Sequence, residues 1–469
     1  MEIGHGSSND RIRKLLITGW PIIVGQVGLV LMGVADTIMV GKIGYIPLAA
    51  AGLSVSIFFL VSIFGIGLIT ATSSLVSTAR AKGNEASLPF FLRDSLIIGQ
   101  LTAILLFAIL LVIIQFLPQM GQEPEVADQA RTFLLLLAIS VFPMNFYLSG
   151  KNVCDGYYLT MSPMIITFAA LILNIFLNWL LIYGNWGFPP MGLNGAGMAT
   201  LISRIAMAIA VTWFVFQSPT IGFKWKSVFN FNFQTNFITP ILRLGVPSGL
   251  QYFFEVAAFS GAAILAGQLG AIPQAAHQIA INIASLTFMF AVGIAVSGSI
   301  YVAENYARND LKGARKYGLS ALRLVVGVEI CFALFLFISY KFLPGLYTND
   351  SKVAEIAAKL ILIAAVFQVV DGIQAVSLGL LRGLHDTKMP SLLTFIAYWG
   401  IGLPLSWYLG LKTDWGIYGI WWALTFSLFF ISITAAWRFR AKTRLNPKSA
   451  LENADSITNE RIDEHHHEA

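Results

Sequence analysis

The stretch WPIIVGQVGLVLMGVADTIMVGKIGYIPLAA, residues 20–50, has a counterpart 226 residues later in VPSGLQYFFEVAAFSGAAILAGQLGAIPQAA, residues 246–276. Pro21 falls on Pro247, Gly41 on Gly267, Gly44 on Gly270, Pro47 on Pro273, and Ala49 and Ala50 on Ala275 and Ala276. Farther along, Gly67 falls on Gly293 and Ala81 on Ala307. A shift of 227 pairs Gly156 with Gly383, Thr160 with Thr387 and Pro163 with Pro390; a shift of 224 pairs Gly192 with Gly416 and Gly195 with Gly419. Most of these residues set backbone bends or allow helices to approach closely, so the chain reads as a duplicated helical unit.

Outward from that stretch the chain stays apolar. It has 469 residues, 12% of them charged, and a mean hydropathy of +0.73. A water-soluble surface needs more charge than that. Apolar runs of about twenty residues, a bilayer's width, fall at roughly 15–40, 48–78, 91–117, 131–153, 162–184, 194–217, 240–267, 273–303, 316–343, 355–381, 390–411 and 415–438. The expected fold is all-α, with twelve transmembrane helices in two six-helix lobes. An even number of spans per half makes the lobes run the same way, related by a pseudo-two-fold axis along the membrane normal.

Lys and Arg gather in alternate loops: Arg11, Arg13 and Lys14; Arg80, Lys82 and Arg93; Lys151; Lys224 and Lys226; Arg308, Lys312, Arg315 and Lys316; Arg382 and Lys388; Arg438, Arg440, Lys442 and Arg444. The intervening loops hold little beyond Lys42, Arg131, Lys352 and Lys412, and one carries Glu123, Glu125 and Asp128. The positive-inside rule then puts both termini in the cytoplasm. The net charge of +6 follows this loop pattern, so no nucleic-acid partner is expected. The expected division is 1–14, a cytoplasmic N-terminal segment with no removable leader; 15–217, the N-lobe; 218–239, a cytoplasmic linker; 240–444, the C-lobe; and 445–469, a disordered cytoplasmic tail ending in His465, His466 and His467. Cys154 and Cys331 read as unpaired packing residues.

Three carboxylates are read inside the spans: Asp36, Glu255 and Asp371. At that depth an acid needs a cavity, a partner or a cation. None obeys the repeat, since their mates are Ala262, Leu29 and Met144, which favours function over shared architecture. In the N-lobe, Asn174 and Asn178 share a helix face at i, i+4 spacing, and Thr200 adds a hydroxyl. With Asp36 they make an oxygen-rich set suited to a hard cation such as Na⁺, or else a hydrogen-bond cluster that glues helices. In the C-lobe, Gln251 lies one turn from Glu255, and Gln368 and Gln374 lie three residues from Asp371. These acids suit a proton, Na⁺ or a cationic substrate; the alternative is pairing with Arg243 or Lys388. Arg204 reads as a structural intramembrane base, and Pro21 as a kink or a bending point beneath Asp36. Tyr398, Trp399, Trp407, Trp421 and Trp422 are candidates for a drug cavity. No GxxxxGK[ST] and no HExxH occurs, and His5, His277 and His385 lack a matching acid and nucleophile, so neither an ATPase nor another enzyme is expected.

Four stretches together resemble the multidrug and toxic compound extrusion (MATE) family, in particular its NorM-type bacterial branch. They are WPIIVGQVGLVLMGVADTIMVGKIG, LNIFLN, GVPSGLQYFFEVAAF and FQVVDGIQAVSLGLLRG, and the likeness runs over about residues 11 to 444. The resemblance implies antiport, with cations entering and cationic aromatic drugs leaving. It implies cation-binding roles for Asp36, Asn174, Asn178 and Thr200 in one lobe and for Glu255 and Asp371 in the other. Where this chain has Asn178 some relatives have aspartate, which implies a weaker N-lobe cation site here. The expectation is a cation-coupled exporter of the inner membrane, without a cofactor, monomeric among its lipids, working by alternating access, with Gln251 and Gln368 beside the substrate. A flippase of lipid-linked oligosaccharide shares this topology, but it should line its cavity with Lys and Arg. A channel needs no lobe-specific acids.

Overall fold

In the computed structural model, residues 7–119, 124–224, 228, 238–348 and 350–444 are described, and among them no strand occurs. Among the described residues twelve helices are long and apolar enough to cross a membrane. They are α1 Ser8–Gly41, α2 Tyr45–Ala81, α3 Leu88–Gln119, α4 Pro124–Gly156, α5 Met161–Tyr183, α6 Leu193–Gln217, α7 Ile238–Gln268, α8 Ala271–Ala307, α9 Leu311–Ser339, α10 Ser351–Gly383, α11 Lys388–Leu411 and α12 Gly416–Lys442. The tail with its three histidines, His5, Glu123, Lys226 and most of the expected linker lie outside the described residues.

The helices outrun the apolar runs because polar caps set their ends. Ser7 and Asp10 form a capping box, starting α1 seven residues before the expected 15. Asp310 caps α9 by accepting from the Gly313 amide at 2.7 Å, which draws Lys312, Arg315 and Lys316 into the helix. Several charges expected in loops are likewise helical and buried. Arg93 pairs with Asp94 at 2.7 Å, and Lys151 pairs with Asp155 at 2.6 Å. Arg382 is buried in the last turn of α10, its guanidinium 5.5 Å from the ring centre of Tyr252. Hydropathy cannot separate a charge just beyond a span from one paired just inside it.

Repeat mates share geometry. Gly44 and Gly270 both precede a 37-residue helix with positive φ, 146° and 112°. A Cβ on Gly156 would lie 2.8 Å from the Ser73 carbonyl oxygen, and one on Gly383 would lie 2.6 Å from that of Ser299, the repeat mate of Ser73. The lobes also meet through repeat-related faces. Gly67 of α2 lies against Ser248 and Gly249 of α7, and its mate Gly293 of α8 lies against Gly19 and Ile23 of α1. Around this seam sit four large apolar cores. Two are formed by N-lobe residues with Ile221, Phe223, Val228, Ile241 and Leu244 added, and two by C-lobe residues with Leu15 added. Side chains facing outward are apolar as well, among them Ile172, Trp213 and Ile338, as a lipid environment requires.

Cys154 is buried, Cys331 is exposed, and both are free. His277 is a satisfied core residue whose Nδ1 accepts from Trp421 Nε1 at 3.1 Å.

Candidate functional site

The N-lobe residues converge, and Asn174 and Asn178 share a helix face as their spacing predicts. Asp36 is five residues from the end of α1, while α5 presents Asn174 and Asn178 and α6 presents Thr200. Asn178 Nδ2 donates to Asp36 Oδ1 at 2.6 Å and to Asn174 Oδ1 at 3.1 Å. The Thr200 hydroxyl donates to Asp36 Oδ2 at 2.7 Å and accepts from Asn174 Nδ2 at 3.5 Å. Both carboxylate oxygens are therefore satisfied by donors. The buried Oδ1 of Asn178 has no partner. Each Asp36 oxygen has one donor here and keeps a further lone pair, and Asn178 Oδ1 is free, so the set still offers oxygens to a cation. Arg204 is engaged elsewhere: its Nη1 donates to Ser140 Oγ at 2.6 Å and its guanidinium lies 4.8 Å from the Phe58 ring centre.

In the C-lobe, α7 and α10 bring Glu255 and Asp371 to one region through Gln374. Gln374 Nε2 donates to Glu255 Oε1 at 3.0 Å, and its Oε1 accepts from the Tyr398 hydroxyl at 2.9 Å. Tyr398 lies in a π-helical turn of α11, residues 396–402. The extra residue of such a turn re-aims side chains, and π-turns recur at functional sites. Tyr398 and Trp421 are fully buried, whereas Trp399, Trp407 and Trp422 are exposed.

A cavity of about 20 Å³, room for one water or so, is lined by Gln251, Tyr252, Glu255, Phe288 and Arg382 among others. Gln251 and half-buried Glu255 thus share a cavity wall. Gln368 is placed elsewhere. It accepts from Thr287 at 2.8 Å and donates to the Glu329 carbonyl oxygen at 3.4 Å, both ends of its amide being engaged. Asp371 is 7% exposed, and its Oδ1 has no partner. Arg243 and Lys388 are exposed, and among the described residues no ion pair includes Asp36, Glu255 or Asp371.

The count of three embedded acids is too low. Glu329 lies inside the expected ninth span and is 1% exposed; both of its carboxyl oxygens are buried without a partner. An unpaired buried carboxylate costs several kcal/mol, so this one is either neutral or matched to a bound ion. Its signal was a single Glu in an apolar run, with no polar neighbour at helical spacing to mark it. Asp94 and Asp155 are embedded too, but each has a base beside it.

Comparison with known proteins gives a consistent picture. The MatE family model matches this chain twice, over residues 21–180 and 247–408, starting at the same repeat offset of 226. The multidrug resistance protein NorM of Aliivibrio fischeri is 32% identical over 445 residues, 93% of this chain and 96% of that protein. The probable multidrug resistance protein NorM of Xanthomonas campestris pv. campestris is 32% identical over 460 residues, 95% of this chain and 98% of that one. Among solved structures, the eukaryotic MATE transporter AtDTX14 superimposes with a TM-score of 0.83 at 18% identity, covering 93% of this chain and all of that one. A MATE in the bent conformation gives 0.83 at 21% identity, covering 96% and 98%.

Proposed function

The chain belongs to the MatE family, a family of multi-pass membrane transporters rather than enzymes, and on that footing we propose that it exports cationic aromatic compounds from the cell in exchange for H⁺ or Na⁺, by alternating access. The observation that carries this reading is the C-lobe arrangement: a half-buried Glu255 with no ion-pair partner among the described residues, lining a cavity next to the lobe seam, with Asp371 behind it on α10. A carboxylate in such a place binds either a cationic drug or the coupling ion, and exchange follows when each ligand favours the opposite state. Gln374 and Tyr398 hold Glu255 in position, and Gln251 shares its wall. Asp36, with Asn174, Asn178 and Thr200, forms a second cation site, weaker because Asn178 supplies a donor where a second carboxylate would supply charge.

In this reading the protein sits in the inner membrane with both termini in the cytoplasm, works as a monomer and needs no cofactor. Pro21 lies fifteen residues before Asp36 on α1, about 22 Å along the helix, and lets the inner part of α1 bend. The flippase alternative is disfavoured because the cavity's cation, Arg382, is accompanied by Glu255. The deciding experiment is ethidium efflux from proteoliposomes under a Na⁺ gradient at fixed pH, or under a pH gradient without Na⁺. One gradient should drive efflux, and Asp371→Asn should abolish it. If neither gradient moves the dye and Asp371→Asn matches the unaltered protein, the reading fails.

A further inference from the structure

Among the embedded acids that the transport reading leaves unused, Glu329 is the one described without a base beside it. It projects from α9 onto α10 beside Asp371. A Cβ placed on Gly372 would lie 2.6 Å from Glu329 Cγ and 3.0 Å from Val325 Cγ2, so a glycine next to Asp371 is what makes room for this carboxyl. Gln368, one turn earlier on α10, holds the α9 backbone at the same point by donating to the Glu329 carbonyl oxygen at 3.4 Å. Three C-lobe acids thus meet one stretch of α10. Glu255 reaches it through Gln374, Asp371 belongs to it, and Glu329 rests on Gly372.

Of the three, only Glu255 lines the cavity. The two oxygens of Glu329 have no hydrogen-bond donor, and none of the cavity's lining residues is on α9. A merely space-filling side chain here would be Leu, or Gln with its amide paired; neither would leave two oxygens without partners. A metal ion needs several oxygens around it, and among the described residues no group of three acidic, His or Cys side chains can hold one. A proton needs one oxygen. The charged groups that face Glu329 are Asp371 on α10 and, beyond it, Glu255 on α7. The helices α8 and α1, which also pack on α9, bring no charged side chain against it among the described residues.

We infer that Glu329 is a proton-binding carboxyl of the C-lobe, loaded and emptied in the transport cycle while Glu255 faces the drug. Uptake converts the carboxylate and one proton to the carboxylic acid; release returns the proton to the opposite side. This deepens the antiport reading and rests on it for the cycle, though not for the proton site itself. Separating the two tasks lets the lobe hold a proton and a drug at different carboxyls, coupled through the shared helix α10.

The test uses the full-length protein in lipid, with Glu329→Gln and Glu329→Asp. Infrared difference spectra across a pH step should contain a carboxylic-acid C=O band that Glu329→Gln removes and Glu329→Asp keeps, shifted. Ethidium efflux driven by a pH gradient should fall about tenfold or more in Glu329→Gln, while ethidium affinity changes less than about twofold. If Glu329→Gln retains the band, the inference is overturned whether or not efflux falls, because any loss is then structural. If the unaltered protein moves no ethidium but Glu329→Gln removes the band, the transport reading fails and the proton site stands.

Discussion

At Asn178 a single atom decides how well the N-lobe can hold a cation. Its Nδ2 lies 2.6 Å from Asp36 Oδ1, so Asn178→Asp would put two carboxylates in hydrogen-bond range, and both cannot stay ionised without a counter-charge. The variant should be destabilised by about 1–3 kcal/mol in cation-free buffer. Adding Na⁺ should raise its melting temperature more than that of the unaltered chain, and equal responses would mean that no cation enters this cluster. A second residue predicts a pH effect. His385 has φ +58°, shares a 3.1 Å hydrogen bond with the Thr78 hydroxyl, and lies near the ring of Tyr306. Burial, and then the charge of Lys82, hold its imidazole down at about 4 instead of 6.5. Between those values the unfolded chain binds more protons than the folded one, so stability rises with pH through that window and is lost as pH falls. Acidifying from pH 7 to 5 should lower the melting temperature of the detergent-solubilised protein. His385→Gln should remove about 1 to 2 kcal/mol of that loss, and an unchanged slope would rule His385 out as its source. The sequence disclosed Glu255 and Asp371, which have glutamines at helical spacing, and Asp36, which stands alone in its apolar run. It did not disclose Glu329, a lone acid in an apolar run that packs on a glycine across the helix interface, or which of several aromatic residues would hold Gln374.

At the scale of the helix, hydropathy located twelve spans and the caps moved their ends. A transfer scale sees the apolar stretch, whereas the helix continues until its free amides and carbonyls find partners, which for α1 and α9 means Ser7 and Asp310. Asp310→Ala should therefore cost about 1 kcal/mol, readable as a lower melting temperature, even though it lies outside the apolar run. The repeat was legible because its residues are those that backbones demand, and the seam between lobes uses them twice. Gly67→Ala would place a methyl 2.9 Å from both Gly249 Cα and the Ser248 carbonyl oxygen, where backbone must move. A loss of about 1–3 kcal/mol is expected. Gly52→Ala, on the same helix, meets nothing within 4 Å and should be neutral or slightly stabilising. If the two variants melt alike, α2 and α7 are not held at that spacing.

The whole molecule is fastened at one end. Where α2 and α8 finish, Tyr158 donates to Glu304, which also accepts from Arg308 at 2.8 Å. Thr18 and Tyr301 hydroxyls are 3.1 Å apart, Ser77 donates to the Ile300 carbonyl oxygen at 3.0 Å, and Ser297 donates to that of Leu15 at 2.9 Å. The fastening follows the repeat: Thr78 is the mate of Glu304 and Tyr158 the mate of His385, so each lobe's loop residue grips the other lobe's helix at the equivalent position. Both loop residues adopt the left-handed conformation, φ 63° and 58°, to make that reach. At the opposite end, around Asp36, Val34, Ile38 and Ile264 are exposed and Gly33 has nothing within 4 Å of its Cβ position. In the proposed alternating-access cycle this structure would be the state closed at the Tyr158 end, and the symmetric grip is what the other state must release. The two grips differ in strength, because only Tyr158 bonds a charged acceptor, an interaction worth about 1.5–3 kcal/mol. Tyr158→Phe should therefore shift the balance about tenfold or more toward the state with this end open, whereas His385→Gln should shift it less. Spin labels at Lys82→Cys and Lys312→Cys, both exposed at this end, read that balance as a longer-distance population. If Tyr158→Phe leaves the distance distribution unchanged, the contact is incidental to closure and the remaining contacts at this end set the state.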